Sequence, residues 1–211
     1  MSLPGITRST IRINTITAET QYTLTMEKID TGIAGLYILK PRVFEDPRGF
    51  FFESYSRKEM DFMNIGRDWV QDNQSRSSYG VIRGLHYQYD PFAQSKLVRV
   101  LEGTILDVVV DLRRGSPSFG KVYSIELSDQ NKLQLLVPRG FAHGFSVLSQ
   151  HAGVLYKCDN YYSNKHEGGI RLDDPDLNID WKVPVASAVI SDKDKSLPSF
   201  RDMPEQFTFH G

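Results

Sequence analysis

From Gly35 onward the chain is a succession of short β-prone runs: "GLYILKPRVF", "GFFFESY", "SKLVRVLEG", "TILDVVVDL", "KVYSIELS", "QLLVP", "FSVLS" and "GVLYKCDNYY". Gly, Pro, Asp or Ser interrupts them at close intervals. Many short strands with regular turn signals predict an all-β barrel or sandwich. In "VRVLEGTILDVVVDL" the central Glu102-Gly103 pair suits a tight hairpin. One helix is expected, over "SRKEMDFMNI". There Ser56 and Glu59 have capping-box spacing, and Met60 and Met63 follow. The loop-rich, acidic C-terminal part carries no repeat or linker, so residues 31–211 are expected to form one domain. Residues 1–30 read as an extension. Its "TIRINTIT", with Ile11, Ile13 and Ile16, suits an added edge strand, and its first ten residues suit a tail.

Charge and cysteine content narrow the partners. The 25 Lys+Arg against 26 Asp+Glu leave a net charge of −1. No global field draws such a chain to nucleic acid or to an anionic membrane, although a local basic pocket for a small anion stays open. A single cysteine, Cys158, forms no disulfide within the chain, which fits a reducing compartment. The N-terminus "MSLPGITRST" lacks a signal peptide's apolar core, and no run approaches the ~18 apolar residues of a membrane span. A cytoplasmic location is expected.

Of the five histidines, His151 and His210 read as surface residues, while His86 ("RGLHYQ") and His143 ("GFAHGF") lie beside glycines. Glycine permits close backbone approach and is common around ligands in strand-rich folds. A metal site is the first reading to test. "PRGFAH" matches the later half of the metal-cupin pattern, but position 88, where the first half needs a second histidine, holds Gln88. Two imidazoles without a third strong ligand suit a transition metal poorly, so no metal is expected. Satisfied core histidines are the plain alternative. It weakens because Arg83, Lys96, Tyr87, Tyr156, Tyr161 and Tyr162 fall on the same or adjacent candidate strands. A barrel interior with so many polar tips needs water or a ligand.

The stretches "LKPRVFEDPRGFFFESY", "VQDNQSRSSYGVIRGLHYQ", "KLVRVLEGTILDVVVDLRRGSPSFG", "VPRGFAHGFSVLS", "YKCDNYYSNKHEGGIRLDDPDLNIDW" and "SDKD" follow one another in order. Together they resemble the dTDP-4-dehydrorhamnose 3,5-epimerase family over most of the chain after about residue 33. The resemblance implies a cupin-type double-stranded β-helix, or jelly roll, with a few short helices. It implies cofactor-independent epimerisation at C3 and C5, converting dTDP-4-dehydro-6-deoxy-glucose to dTDP-4-dehydro-L-rhamnose. It makes His86 the general base, Asp194 its orienting carboxylate, Tyr156 the general acid and Lys96 the partner of the keto oxygen, with His143 lining the pocket. It places nucleotide or sugar binding on Arg48, Glu53, Gln71, Asn73, Arg83, Glu167 and Lys193. It also implies a homodimer with exchanged N-terminal strands. Two family tryptophans are absent: a W-N-D motif reads Leu172-Asp173-Asp174, and Q-L-W-I-P reads "QLLVP".

The chemistry fits these residue types. A C4 ketone acidifies the C–H bonds on both sides of it, so epimerisation needs a base, an acid on the opposite face and a cation for the enolate oxygen, but no redox cofactor. Histidine titrates near neutral pH, and a carboxylate behind it fixes its tautomer. A lysine at the enolate oxygen supplies electrostatic stabilisation. Arginine suits the diphosphate. Competing classes are a mono-epimerase of a related 4-keto sugar, a non-catalytic sugar-nucleotide-binding jelly roll and a metal-dependent cupin.

Overall fold

Alternation along one strand shows how the layers arise. In β8 (Thr104–Asp111), Ile105 and Val109 belong to one apolar core, and Leu106, Val108 and Val110 to another. A strand buried on both faces reads as an apolar run, and this one is buried from Ile105 to Asp111. The computed structural model describes residues 24–210.

Two antiparallel sheets form the body. The larger runs in the order β1 (Met26–Asp30), β2 (Tyr37–Pro41), β11 (Gln134–Val137), β7 (Lys96–Glu102), β13 (His151–Cys158) and β5 (Gln71–Ser78). The smaller runs β10 (Val122–Ser128), β8, β12 (Phe141–Val147), β6 (Ile82–Gln88) and β14 (Glu167–Gly169). Two small ribbons complete the set. One is the hairpin β3 (Phe44–Asp46) with β4 (Gly49–Phe51), and the other pairs β9 (Arg113–Arg114) with β15 (Phe207–Thr208) in parallel. The all-β jelly-roll expectation holds. No helix among the described residues is long and apolar enough to cross a membrane.

The inner core lies between the sheets: Val98, Val100, Leu135, Val137 and Val154 of the larger face Ile105, Val109, Phe141 and Phe145 of the smaller. The segment after β14 covers the outer face of the smaller sheet, its Ile170 and Trp181 buried in one cluster with Leu85 and Val108. Helix α1 (Arg57–Phe62) covers the outer face of the larger sheet through Met60, beside Met63 and Ile65.

Two local expectations are corrected. Glu102-Gly103 does not close a hairpin. β7 pairs with β11 and β13 in one sheet, and β8 with β10 and β12 in the other. Gly103, at φ +79° and pressed against the His151 carbonyl, turns a corner between sheets. The helix forms where expected, but without the capping box. The Ser56 side chain makes no cap bond, and Glu59 Oε1 instead accepts from Thr25 N at 2.6 Å and Thr25 Oγ1 at 2.9 Å. "TIRINTIT" lies outside the described residues. Met26–Asp30, within the expected extension, forms β1, paired with β2 through five residues.

Candidate active site

A bulge builds the floor of the site. His143 on β12 opposes His86 on β6, while Phe145 opposes Arg83, so three steps on β6 match two on β12. In a regular strand Arg83 and His86 would face opposite sides, and the extra residue turns both into the space between the sheets. Two glycines permit it. Gly84 sits at φ +121°, and a Cβ there would lie 2.5 Å from Gly144 Cα; one on Gly144 would lie 2.6 Å from the Arg83 carbonyl oxygen. The glycines beside each histidine therefore serve strand approach.

The resulting cavity measures about 500 Å³ and is lined from the smaller sheet by Arg83, His86 and His143, from the larger by Asn73, Lys96 and Tyr156, and from the C-terminal segment by Lys193 and Asp194. A lobe of about 240 Å³ adjoins it, sharing Asn73, His86, Lys96 and Tyr156 and adding Gln71, Tyr162 and Glu167.

His86 Nε2 lies 2.8 Å from Asp194 Oδ1, and Gly84 N donates to Oδ2 of the same carboxylate at 3.2 Å. Asp194 sits on the single-turn helix α2 (Asp192–Lys195), where its N–H donates to the capping Ser191 hydroxyl at 3.1 Å. Burial pushes this carboxyl up, but His86, the Gly84 N–H and Ser191 together outweigh it and hold it below the ordinary Asp value. An ionised Asp194 can only accept, so the neutral imidazole that pairs with it carries its proton on Nε2 and turns the Nδ1 lone pair away from the carboxylate.

His143 has a dyad of its own. Its Nε2 lies 2.8 Å from Asp107 Oδ1, and both side chains are buried. Sequence reasoning missed Asp107. The available signal was its place at i+2 from Ile105 and i−2 from Val109, the inward positions of β8. The His143 ring meets Tyr156 edge-on at 6.5 Å between centroids. Lys96 Nζ lies 5.8 Å from the centre of the Tyr156 ring. Burial pushes the Lys96 ammonium down, against the pull of Cys158, Asp107 and Glu167. Burial, reinforced by Cys158, pushes the Tyr156 phenol up, which keeps it protonated at neutral pH.

The expected binding residues divide. Gln71 Nε2 donates to Asn73 Oδ1 at 3.1 Å, and Arg83 Nε donates to Ser77 Oγ at 3.1 Å. Glu167 Oε2 accepts from Lys193 Nζ at 2.6 Å and from the Tyr162 hydroxyl at 2.9 Å. Burial pushes Glu167 up, but these two donors outweigh it and hold it below the usual Glu value. Arg48 and Glu53 are not brought to this cavity. Arg48 is paired with Asp46 on the exposed β3–β4 hairpin. Glu53 follows on the stretch whose Phe52 and Ser54 lie against Arg99 and Gln134, on the sheet's outer face, and it accepts from Thr25. Two tyrosines read as interior polar tips also differ. Tyr87 packs in the outer core, edge-on to Phe207, because the bulge reverses its facing, and Tyr161 is largely exposed.

Gln88, at the missing metal-ligand position, is buried and accepts from Ser163 N at 2.8 Å. Among the described residues no three His, Cys, Asp or Glu side chains gather as a metal site. The absent tryptophans lie away from the cavity: Leu136 packs in the outer core under α1, and Leu172 accepts the Trp181 indole N–H at its carbonyl in the other outer core.

Two facing sheets with His, Asp, Tyr and Lys side chains gathered in a cavity between them define a cupin-like protein with an internal ligand site. The family model described as dTDP-4-dehydrorhamnose 3,5-epimerase matches residues 30–202. The chain belongs to that family and is an isomerase. It is 49% identical over 179 residues to the dTDP-4-dehydrorhamnose 3,5-epimerase of Shigella flexneri, covering 84% of this chain and 97% of the relative. The crystal structure of the Elizabethkingia anophelis enzyme of that name superimposes with a TM-score of 0.81 at 51% identity, over 85% of this chain and 98% of that one. A dTDP-6-deoxy-D-glucose-3,5-epimerase from Legionella pneumophila, in complex with dTDP-4-keto-L-rhamnose, gives 0.83 at 42% identity, over 88% of this chain and all of that one.

Proposed function

We propose that the chain epimerises C3 and C5 of dTDP-4-dehydro-6-deoxy-glucose by a proton-transfer mechanism centred on His86. The observation that carries this reading is the placement of His86 and Tyr156 on opposite sheets, both lining one cavity, with Lys96 beside Tyr156. A base and an acid on opposite walls can remove a proton from one face of a carbon and return one to the other. His86 Nδ1 takes the proton, and Asp194 steadies the imidazolium. Charge moves onto the C4 oxygen, where Lys96 meets it, and Tyr156 supplies the proton on the far face. Arg83 and Lys193 are the cations for the diphosphate, with Gln71 and Asn73 as polar contacts and His143, held by Asp107, completing the wall. NMR of the dTDP-4-keto sugar incubated with the protein should show inversion at both centres, undiminished by a metal chelator. An unchanged sugar would leave only the binding-module reading.

Lys96 sets a pH prediction. Its charged form is the one that steadies the enolate, and burial lowers its pKa. Activity is therefore expected to fall as pH rises through a value below the ordinary lysine range. Lys96→Arg should lower kcat but move that alkaline limb upward, because a guanidinium stays charged. The kcat/KM profile against pH checks it, and an unmoved limb would assign the titration to another group.

A homodimer completes the proposal. Phe50 and Phe51, 58% and 70% exposed on the β3–β4 hairpin, are an apolar patch beside Arg48 that a second copy would cover. Arg48 and Glu53, remote from their own chain's cavity, retain a binding role only toward that copy. Light scattering should give twice the monomer mass, and Phe50→Ser with Phe51→Ser should shift it toward monomer.

A further inference from the structure

Lys193 lines the larger lobe of the cavity and Glu167 the smaller, and their ion pair, 2.6 Å long, joins the two beside His86, which lines both. The Tyr162 hydroxyl donates to the same Glu167 oxygen, Oε2, at 2.9 Å, so this carboxylate keeps a second anchor when Lys193 leaves. The Lys193 side chain is 56% exposed, and that of Glu167 18%. Solvent screens the pair from the Lys193 side, which leaves the lysine the more easily drawn away of the two. Of the other two cations of the larger lobe, Lys96 is assigned to the keto oxygen, and Arg83 donates to the Ser77 hydroxyl and makes no ion pair among the described residues. One phosphate-binding cation is thus free of carboxylates, and the other is occupied by one.

We propose that Glu167 is a counter-ion gate for Lys193, which an incoming diphosphate opens by taking Lys193 onto its own oxygens. This rests on the reading of the cavity as a nucleotide-diphosphate sugar site and assigns Glu167 a role in selecting the anion. A diphosphate can engage Arg83 and Lys193 together, and charge-assisted bonds to two cations outweigh one half-exposed ion pair. An anion with a single charge cannot replace the carboxylate at Lys193 and still reach Arg83. The gate therefore disfavours small anions and admits a ligand that reaches both Arg83 and Lys193 in the larger lobe, while the Tyr162 hydroxyl keeps the released carboxylate on the smaller-lobe side.

Calorimetric titration with inorganic diphosphate and with dTDP tests this on wild type, Glu167→Gln, Lys193→Met and the double variant. Glu167→Gln is expected to tighten diphosphate binding by about three- to tenfold, and Lys193→Met to weaken it. In the double variant the gain from Glu167→Gln should vanish, because it acts through Lys193. Weaker or unchanged binding by Glu167→Gln would overturn the gate, as would a gain that survives without Lys193, since that would be a general field effect. If Glu167→Gln does not fold, Glu167→Asp, which shortens the reach to Lys193, should shift binding in the same direction. Should dTDP fail to bind wild type while diphosphate behaves as described, the nucleotide reading fails and the gate stands.

Discussion

His86→Ala is expected to all but abolish turnover, by about 10⁴-fold, while leaving the fold intact. The imidazole contributes little to packing: its side chain is 31% exposed, and its hydrogen-bond partner is the Asp194 carboxylate. Asp194→Asn is the sharper test, because the amide meets two conflicting neighbours. Gly84 N–H and His86 Nε2 each bond to one oxygen of the present carboxylate. An asparagine has one acceptor and one donor end. With its oxygen toward Gly84, its NH₂ faces Nε2 and drives the imidazole proton onto Nδ1, the atom that must be basic. With its oxygen toward His86, its NH₂ opposes the Gly84 N–H. Either way the dyad is impaired, and a loss of roughly 10²-fold is expected, smaller than that for His86→Ala. Steady-state rates beside circular dichroism decide the matter. A His86→Ala protein with near wild-type rate would remove the base from the mechanism.

How much of this was legible depends on range. The strand texture was, because Val, Ile and Leu runs between turn residues report local conformation. The partner of a strand was not: "LEGTIL" has hairpin chemistry, and only the departure of β7 and β8 into different sheets makes it a corner. Glu59 likewise has the spacing of a capping box, but Thr25, 34 residues away, takes its carboxylate. In the site, His86, Asn73, Lys96, Tyr156 and Asp194 were found through ordered motifs and do converge. Asp107 was hidden because an aspartate in an apolar run reveals its partner only when β12 lies alongside β8. Tyr87 was misread because alternation fails across the bulge at Gly84. Arg48 and Glu53 show a related limit: their motif gives no sign that the fold carries them to the exposed β3–β4 hairpin and the stretch after it, away from the cavity.

Tyr156→Phe in D₂O should separate proton removal from inversion. The substitution keeps the ring that meets His143 edge-on and lies near Lys96, and it removes only the hydroxyl. Wild type is expected to place deuterium at both C3 and C5 with both centres inverted, since both carbons flank the carbonyl that Lys96 serves. In Tyr156→Phe, His86 can still remove a proton and return a deuteron to the same face. Exchange without inversion is therefore expected at any carbon that depends on Tyr156, with net epimerisation slower by about 10²- to 10⁴-fold. Lys96 lies beside Tyr156 on the same wall, so a second donor is at hand there if the phenol serves only one carbon. Inversion lost at one centre and kept at the other would assign Tyr156 to the first and direct the search for the other acid to Lys96, which shares the wall opposite His86. Wild-type deuterium at a single carbon would reduce the activity to mono-epimerisation, because the same base, lysine and phenol would then be presented to only one side of the ketone.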